Sequence, residues 1–276
     1  KIKNIKTTAT QERCIAIWKG QYFFIFDHYF VINDEIRNFI LNNGIGTIKK
    51  ITSIGPVRSD LINLQNVEES PNNKIVMVLD THSMINIYQN GMTYFNNWKH
   101  NYFFYNNVLK LVQKNLDINF VIKGKNYNFM NIPYFRDIKK IIEKFPNIKL
   151  YEDKNNSAYD LLDKVALTIS APSSIIDELL FKERSIIIHE TVDGYPSKLF
   201  NYGINLKNLI TKNYDELEVK FNLWKENPKK FNEDIKIEAN NFFPINRTKN
   251  SVHDRLQKHL EDQLNFYDSA NSKGFE

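Results

Sequence analysis

Polar side chains follow five short apolar runs in the chain, at the points where each run would end as a β-strand. The runs are short, β-branched and nearly continuous: Lys74–Asp80, Ile118–Lys123, Ile148–Tyr151, Val165–Ser170 and Ser185–Glu190. The polar residues at their ends are Asp80 to Ser83, Lys123 to Lys125, Glu152 and Asp153, Ser170 to Ser174, and His189 and Glu190. The carboxyl ends of parallel strands meet at one edge of a sheet, where ligands bind. This pattern predicts a polar ligand-binding edge.

The fourth of these ends has the residue types of an anion site. Ser170 closes an apolar run, and Ser173 and Ser174 open a helical pattern that contains Asp177 and Glu178. A helix start offers unpaired N–H groups and a positive dipole end, to which two hydroxyls add donors. This arrangement suits a diphosphate. The alternative is a helix cap, in which one serine caps and an acidic residue closes a capping box.

Four other residues at strand ends could belong to a phosphate site. Lys123 could neutralise a phosphate as a point charge, although lysines at strand ends are often simply solvated. His82 could donate to a phosphate or act as an acid or base, but it could equally be a loop residue. His189 and Glu190 end the next strand, beside the serine turn. We therefore include Lys123, His189 and Glu190 in a candidate phosphate site, with His82 as the candidate catalytic residue.

Several familiar motifs are absent from the sequence. The chain contains neither GxGxxG nor GxxxxGK[ST], which weakens the dinucleotide-binding and P-loop interpretations. It also lacks CxxC, HExxH, an EF-hand loop and GxSxG. We therefore expect no metal site and no bound cofactor.

The elements that hold these strand ends alternate regularly between strand and helix. Helical patterns separate the apolar runs: Tyr102–Lys114, Pro133–Lys144, Ser157–Asp163 and Ser173–Phe181. Fivefold alternation predicts an α/β fold with one Rossmann-like parallel sheet covered by helices on both faces. A sixth strand is predicted at Leu209–Thr211 and a helix at Tyr214–Glu226, which Asn227 and Pro228 end. The tail has one more amphipathic stretch, Val252–Leu264.

The first seventy residues contain fewer elements than a full α/β domain. Strands are predicted at Cys14–Trp18, Tyr29–Ile32 and Ile48–Ile54, with a helix at Asp34–Asn42. We interpret residues 1–70 as the end of an N-terminal α/β domain and its linker. Residues 71–240 then form the nucleotide-binding domain, and residues 241–276 a tail that packs back on the first domain. The alternative is that the early strands extend one larger sheet. We expect the chain to be a piece of a longer protein, with little activity alone.

Composition excludes some classes of protein. Hydrophobic residues make up 42% of the 276 residues and charged residues 25%, as in an ordinary globular protein. The net charge of +5 comes from dispersed lysines, so we expect no nucleic-acid partner. Cys14 is the single cysteine, which suits a reducing compartment. No apolar run reaches the length of about 18 residues that a membrane-spanning helix needs.

A run of motifs resembles a known group of enzymes. Tyr159–Asp163, Val165–Ser170, Ser173–Glu178 and Ser185–Glu190 follow one another without interruption. This order resembles the C-terminal domain of GT-B enzymes that build bacterial surface polysaccharides. The group includes the CDP-glycerol glycerophosphotransferases and the UDP-N-acetylglucosamine 2-epimerase-like proteins. The segments Gly55 to Asp60 and Asp80 to His82 are also similar to turns of those proteins.

The resemblance implies a fold, a donor site and a reaction. It implies a GT-B-like fold in which Ser173 and Ser174 hold the donor diphosphate and Glu178 the ribose. Lys123 falls where the glycerophosphotransferases carry a lysine or a His-Pro pair, but Gly124 departs from that pattern. Ser83 replaces an arginine of the epimerases, which makes epimerisation the weaker implication.

The implied activity is transfer of a sugar or alditol phosphate. The donor would be a nucleotide sugar or a CDP-alditol, and the acceptor a glycan or a lipid-linked glycan. The expected location is the cytoplasm, and contact with the inner face of the plasma membrane is left open. The alternatives are a non-catalytic nucleotide-sugar binding module and a sugar-nucleotide epimerase. The base of such transferases usually lies in the N-terminal domain, so the sequence assigns none beyond the candidate His82.

Overall fold

The computed structural model describes ten stretches of the chain. They are residues 7–11, 25–43, 46–62, 75–79, 98–124, 133–151, 157–173, 175–191, 206–243 and 251–272.

The first sheet has three parallel strands in the order β1-β2-β3. They are β1 (Thr8–Thr10), β2 (Ile25–Val31) and β3 (Thr47–Ser53), and helix α1 (Asp34–Asn42) connects the last two. The side chain of Asn33 caps α1 by accepting from the Ile36 N–H, as the Asn-Asp start suggests. The prediction of α1 is confirmed, whereas β1 was not predicted and the expected strand at Cys14–Trp18 lies outside the described residues.

The second sheet has six parallel strands in the order β6-β5-β4-β7-β8-β9. Their bounds are β4 (Ile75–Leu79), β5 (Asn119–Lys123), β6 (Ile148–Leu150), β7 (Leu167–Ser170), β8 (Ile186–His189) and β9 (Ile210–Thr211). All residues of β7 and β8 are buried, because helices cover both faces of a parallel sheet. The predicted α/β fold with a parallel sheet is confirmed.

Helices connect and follow the strands of the second sheet. They are α2 (Trp98–Lys114), α3 (Pro133–Ile142), α4 (Tyr159–Leu162), α5 (Ile175–Phe181), α6 (Tyr214–Glu226), α7 (Pro228–Phe242) and α8 (Val252–Ser272). Short 3₁₀ turns occupy Val57–Leu61 and Leu206–Asn208. Helix α5 begins at Ile175, two residues later than predicted. None of the described helices is long and apolar enough to cross a lipid bilayer.

Helix α8 returns to the first part of the chain. The Asp60 carboxylate accepts hydrogen bonds from the backbone N–H groups of Val252 and His253, at 3.1 and 2.8 Å. Further along α8, the His259 ring lies with its centroid 5.9 Å from that of Phe30 on β2. These contacts hold α8 against both the turn at Val57–Leu61 and the first sheet. The domain boundaries near residues 70 and 240 remain predictions.

Candidate functional site

The register of the second sheet aligns several of the candidate residues. Leu79 at the end of β4 pairs with Lys123 on one side and with Ser170 on the other. Neighbouring strands lie roughly 4.8 Å apart, so the backbones of Lys123 and Ser170 stand about 10 Å apart across β4. On the next strand Ser170 pairs with Ile188, which places His189 and Glu190 just beyond the same row. The candidate strand ends therefore do lie along one edge.

Lys123 ends β5 with most of its side chain buried. The residue is 8% exposed, its ammonium donates to the Gly124 carbonyl at 3.2 Å, and it lies 5.7 Å from the centre of the Tyr151 ring. Burial of the stem and the cation–π contact fix the position of the charge at the strand end. A held positive charge at this edge is a suitable electrostatic partner for an anion.

The serine turn between β7 and α5 has its own hydrogen bonds. The hydroxyl of Ser170, which is fully buried, donates to the Ala171 carbonyl at 2.7 Å and lies 3.2 Å from the Ser173 hydroxyl. Since the Ser170 proton is used, Ser173 is the donor in the second bond. Ser173 is partly exposed and can turn toward a ligand, whereas Ser170 shapes the turn. Ser174 lies outside the described residues.

Glu178 is buried and belongs to a polar chain that the sequence did not predict. The residue is 2% exposed, and the Tyr159 hydroxyl donates to its Oε2. The Arg58 guanidinium in turn bonds Tyr159. Burial and the Glu178 carboxylate raise the pKa of the Tyr159 hydroxyl, which therefore stays a donor. Glu178 is thus held by a tyrosine from α4 and, through it, by an arginine of the turn after the first sheet.

His189 is fully buried, with partners on both ring nitrogens. Its Nε2 lies 3.0 Å from the Asn107 amide nitrogen, and its Nδ1 lies 2.9 Å from the Thr211 hydroxyl. Burial lowers the pKa of His189 to about 4, so the ring is neutral at neutral pH. The geometry favours a positioning role for His189, because a neutral, fully bonded ring offers no positive charge to a phosphate. The sequence pattern of β8 alone did not reveal Asn107 or Thr211 as its partners.

Glu190 follows β8 and is 5% exposed. Its N–H donates to the Thr211 carbonyl at 2.8 Å, which continues the β8–β9 ladder by one residue. The hydrogen bonds around Thr211 therefore fix the backbone on which Glu190 sits.

His82, the candidate catalytic residue, lies outside the described residues, as do Asp80 to Ser83 and Lys125. Within the described stretches no group of three or more His, Cys, Asp and Glu side chains is arranged to hold a metal ion.

Comparison with known protein families assigns the chain to one of them. The model of the polysaccharide biosynthesis PFTS motif protein family matches residues 4–176, which include β1 to β7 and the start of α5. The chain belongs to this family. A search of curated protein sequences finds no significant match.

Solved structures similar to this member of the PFTS motif family share its fold. UDP-GlcNAc 2-epimerase from Neisseria meningitidis, bound to UDP-GlcNAc, has 15% identity and a TM-score of 0.57 over 85% of this chain and 62% of its own. MnaA of S. aureus with UDP has 12% identity and a TM-score of 0.54, covering 87% and 60%. The wall teichoic acid polymerase TagF has 16% identity and a TM-score of 0.52, covering 87% and 59%.

These likenesses confirm the expected GT-B-type fold. At such low identity they show the fold alone. The chain spans about three fifths of the length of the structures that it resembles.

Proposed function

We propose that this chain is the donor-binding part of a transferase that moves a sugar or alditol phosphate from a nucleotide-activated donor to a surface-polysaccharide acceptor. The observation that carries the proposal is the row of Lys123, Ser170 and the β8 end along the carboxyl edge of a parallel sheet. Membership of a polysaccharide biosynthesis family supports it independently. The reaction would take place in the cytoplasm, at or near the inner face of the membrane.

The donor diphosphate lies over the β7–α5 turn in this proposal. Ser173 and Ser174 donate to its oxygens, and Lys123 on the far side of β4 supplies a fixed positive charge. When the bond to the leaving nucleotide breaks, negative charge grows on the diphosphate, and donors held in place stabilise it more than mobile water would. This use of protein donors requires no metal ion.

The nucleoside part of the donor lies toward Glu178 and Glu190. A carboxylate accepts hydrogen bonds from the hydroxyls of a ribose, and Glu178 already has one lone pair engaged by Tyr159. That bond holds the Glu178 side chain in place. Thr211 accepts a hydrogen bond from the Glu190 N–H and also bonds the ring of His189, so this pair holds the strand end that carries Glu190. The catalytic group is proposed outside this row, with His82 as the candidate.

Epimerisation of a sugar nucleotide is the second candidate. One of the similar structures is named a UDP-GlcNAc 2-epimerase and holds UDP-GlcNAc, and a second is named a putative enzyme of that kind. Against it stands Ser83, where the resemblance would require an arginine. Transfer therefore remains the favoured function.

Incubation with candidate donors distinguishes these functions. Each donor is first ranked by the thermal shift that it gives the chain, since a ligand at 100 times its dissociation constant stabilises by about 2.7 kcal/mol. The retained donors are then incubated with the full-length natural protein, with and without a glycan acceptor. Transfer requires the acceptor, whereas epimerisation proceeds without it. Binding of a nucleotide with no turnover in either arm would leave only a binding module.

A further inference from the structure

The first half of α2 carries a buried amide that the proposed function does not use. Asn101 is 5% exposed, and its Nδ2 has no hydrogen-bond acceptor among the described residues. Buried polar groups in folded proteins are nearly always paired, and a buried donor without an acceptor destabilises the fold. An exception of this kind requires an explanation, and a ligand that supplies the missing acceptor is one.

Asn101 lies in the part of α2 that extends beyond the carboxyl edge of the second sheet. Helix α2 connects the parallel strands β4 and β5, so it runs back along the sheet and starts at that edge. The Asn107 amide bonds the ring of His189, the last residue of β8, which makes the middle of α2 level with the edge. Asn101 comes six residues earlier, about 9 Å further out along the helix axis.

Two neighbouring rings show which strands Asn101 lies above. Phe104 and Tyr105 follow Asn101 by three and four residues, so they lie on the same face of α2, one turn closer to the sheet. The centre of the Phe104 ring is 5.8 Å from that of His189, at the end of β8. The centre of the Tyr105 ring is 5.1 Å from that of Phe135, near the start of the helix that follows β5. Asn101 therefore lies above the ends of β4 and β7, the two strands between β5 and β8.

We propose that the Asn101 amide donates a hydrogen bond to the diphosphate of the donor nucleotide, above Lys123 and the serine turn. Lys123 and Ser170 end the strands on either side of β4, so a diphosphate between them lies below Asn101. A phosphate oxygen is a charged acceptor, and such bonds are about twice as strong as neutral ones. The inference rests on the proposed function and adds to it a specificity residue on α2. A ligand without an oxygen at this place leaves the buried donor unpaired.

Replacement of Asn101 should weaken nucleotide binding without destabilising the ligand-free chain. Asn101→Leu keeps the branched shape but removes the unpaired donor, so the unfolding midpoint should stay the same or rise. The same variant should bind UDP and CDP at least tenfold more weakly, because it lacks a hydrogen bond to a charged group. Binding of uridine and cytidine should be unchanged. Asn101→Ala should lose as much affinity for the diphosphates, with a lower midpoint because it leaves a cavity.

Calorimetric titration and thermal unfolding of the 276-residue chain provide the two measurements. Asn106→Leu, at a partly exposed position on the same helix, should leave the affinities for UDP and CDP unchanged. Lys123→Met is the reference for the diphosphate site itself. If Lys123→Met weakens the binding of UDP and CDP but Asn101→Leu lowers only the midpoint, Asn101 is structural and the inference alone is overturned. If neither nucleotide binds the unmodified chain, the proposed function is wrong and the inference with it.

Discussion

At the scale of single residues, the ring of His189 belongs to a directed chain of hydrogen bonds. The Thr211 hydroxyl donates to the Ile188 carbonyl, so it accepts from Nδ1 of His189, and Nε2 is left to accept from the Asn107 amide. That order requires the neutral ring with its proton on Nδ1. Protonation would set an N–H against the amide donor and place a charge in the core.

The stability of the protein should therefore fall on acidification below the ordinary pKa of histidine. The unfolded chain binds a proton at His189 near pH 6.5, whereas the folded chain resists until about pH 4. Stability from this residue is fully present above pH 6.5 and is lost toward pH 4, amounting to about 3 kcal/mol at most. His189→Gln should flatten the curve of unfolding free energy against pH, and the exposed His253→Gln should not. Parallel curves for His189→Gln and the unmodified chain would contradict the neutral buried ring.

The hydroxyl of Tyr159 should contribute to the stability of the protein. Tyr159→Phe removes the donor to the buried Glu178 carboxylate and the partner of Arg58, and hydrogen bonds to charged groups contribute about 1.5–3 kcal/mol. We expect a loss of that size in urea unfolding. Tyr102→Phe, at a partly exposed position on α2, is the matched control. Equal stabilities of the two variants would mean that Glu178 does not depend on Tyr159.

At the scale of elements, the central strands were predictable and one helix was not. The runs that became β4, β7 and β8 are continuous and β-branched because both of their faces are buried, and that pattern is visible in sequence. Asn227 and Pro228 were interpreted as a stop, but a second helix, α7, begins at Pro228. Proline at the first helical position has no N–H to leave unpaired, so the dipeptide ends one helix and starts the next.

Asn227 should therefore stabilise α7 as its cap. Its Oδ1 accepts from the Lys230 N–H at 3.0 Å. Asn227→Ala should lower the free energy of unfolding by about 1 kcal/mol. Asn222→Ala, at an exposed position inside α6, should change it little or raise it slightly, since alanine favours helix. An Asn227→Ala variant as stable as Asn222→Ala would show that the cap contributes nothing.

At the scale of the whole molecule, the turn after the first sheet contacts both α5 and α8. Gly55 has a φ of +100°, which favours glycine, and a Cβ atom there would lie only 2.6 Å from the Phe181 ring. Both the backbone conformation and the close packing therefore require glycine. Asp60 bonds the start of α8 and lies 3.7 Å from the Lys182 ammonium. Arg255 donates to the Ile54 carbonyl and lies over the Phe181 ring. The turn thus links α5, the helix that follows the serine turn, to helix α8.

Asp60→Ala should loosen the attachment of the tail. The variant leaves two N–H groups of α8 and the Lys182 ammonium without this carboxylate. Amide exchange should then quicken in α8 and in β2, whose Phe30 contacts α8, while the central strands β4 and β7 keep their protection. Asp262→Ala, an exposed position on α8, is the control. Unchanged exchange in α8 of Asp60→Ala would place the attachment elsewhere.

Part of the candidate site could be predicted because it depends on strand ends, and part could not because it depends on distant contacts. Lys123 and Ser170 each end a recognisable apolar run, and a parallel sheet brings such ends to one edge. In contrast, Tyr159 meets Glu178 and Arg58, and His189 meets Asn107, only through the packing of helices on the sheet. No local spacing encodes those pairs.

The central claim is that a diphosphate lies between Lys123 and the serine turn. Calorimetric titration with nucleoside, monophosphate and diphosphate, using Lys123→Met and the Ser173→Ala, Ser174→Ala double variant, tests it most directly. Each variant should bind the nucleoside nearly as the unmodified chain does and the diphosphate at least tenfold more weakly, because lost bonds to a charged group cost about 1.5–3 kcal/mol. Lys149→Met, at an exposed position on β6, should leave all three affinities unchanged. Equal affinities for the three ligands in every variant and the unmodified chain would contradict the claim and leave the serines as a helix cap.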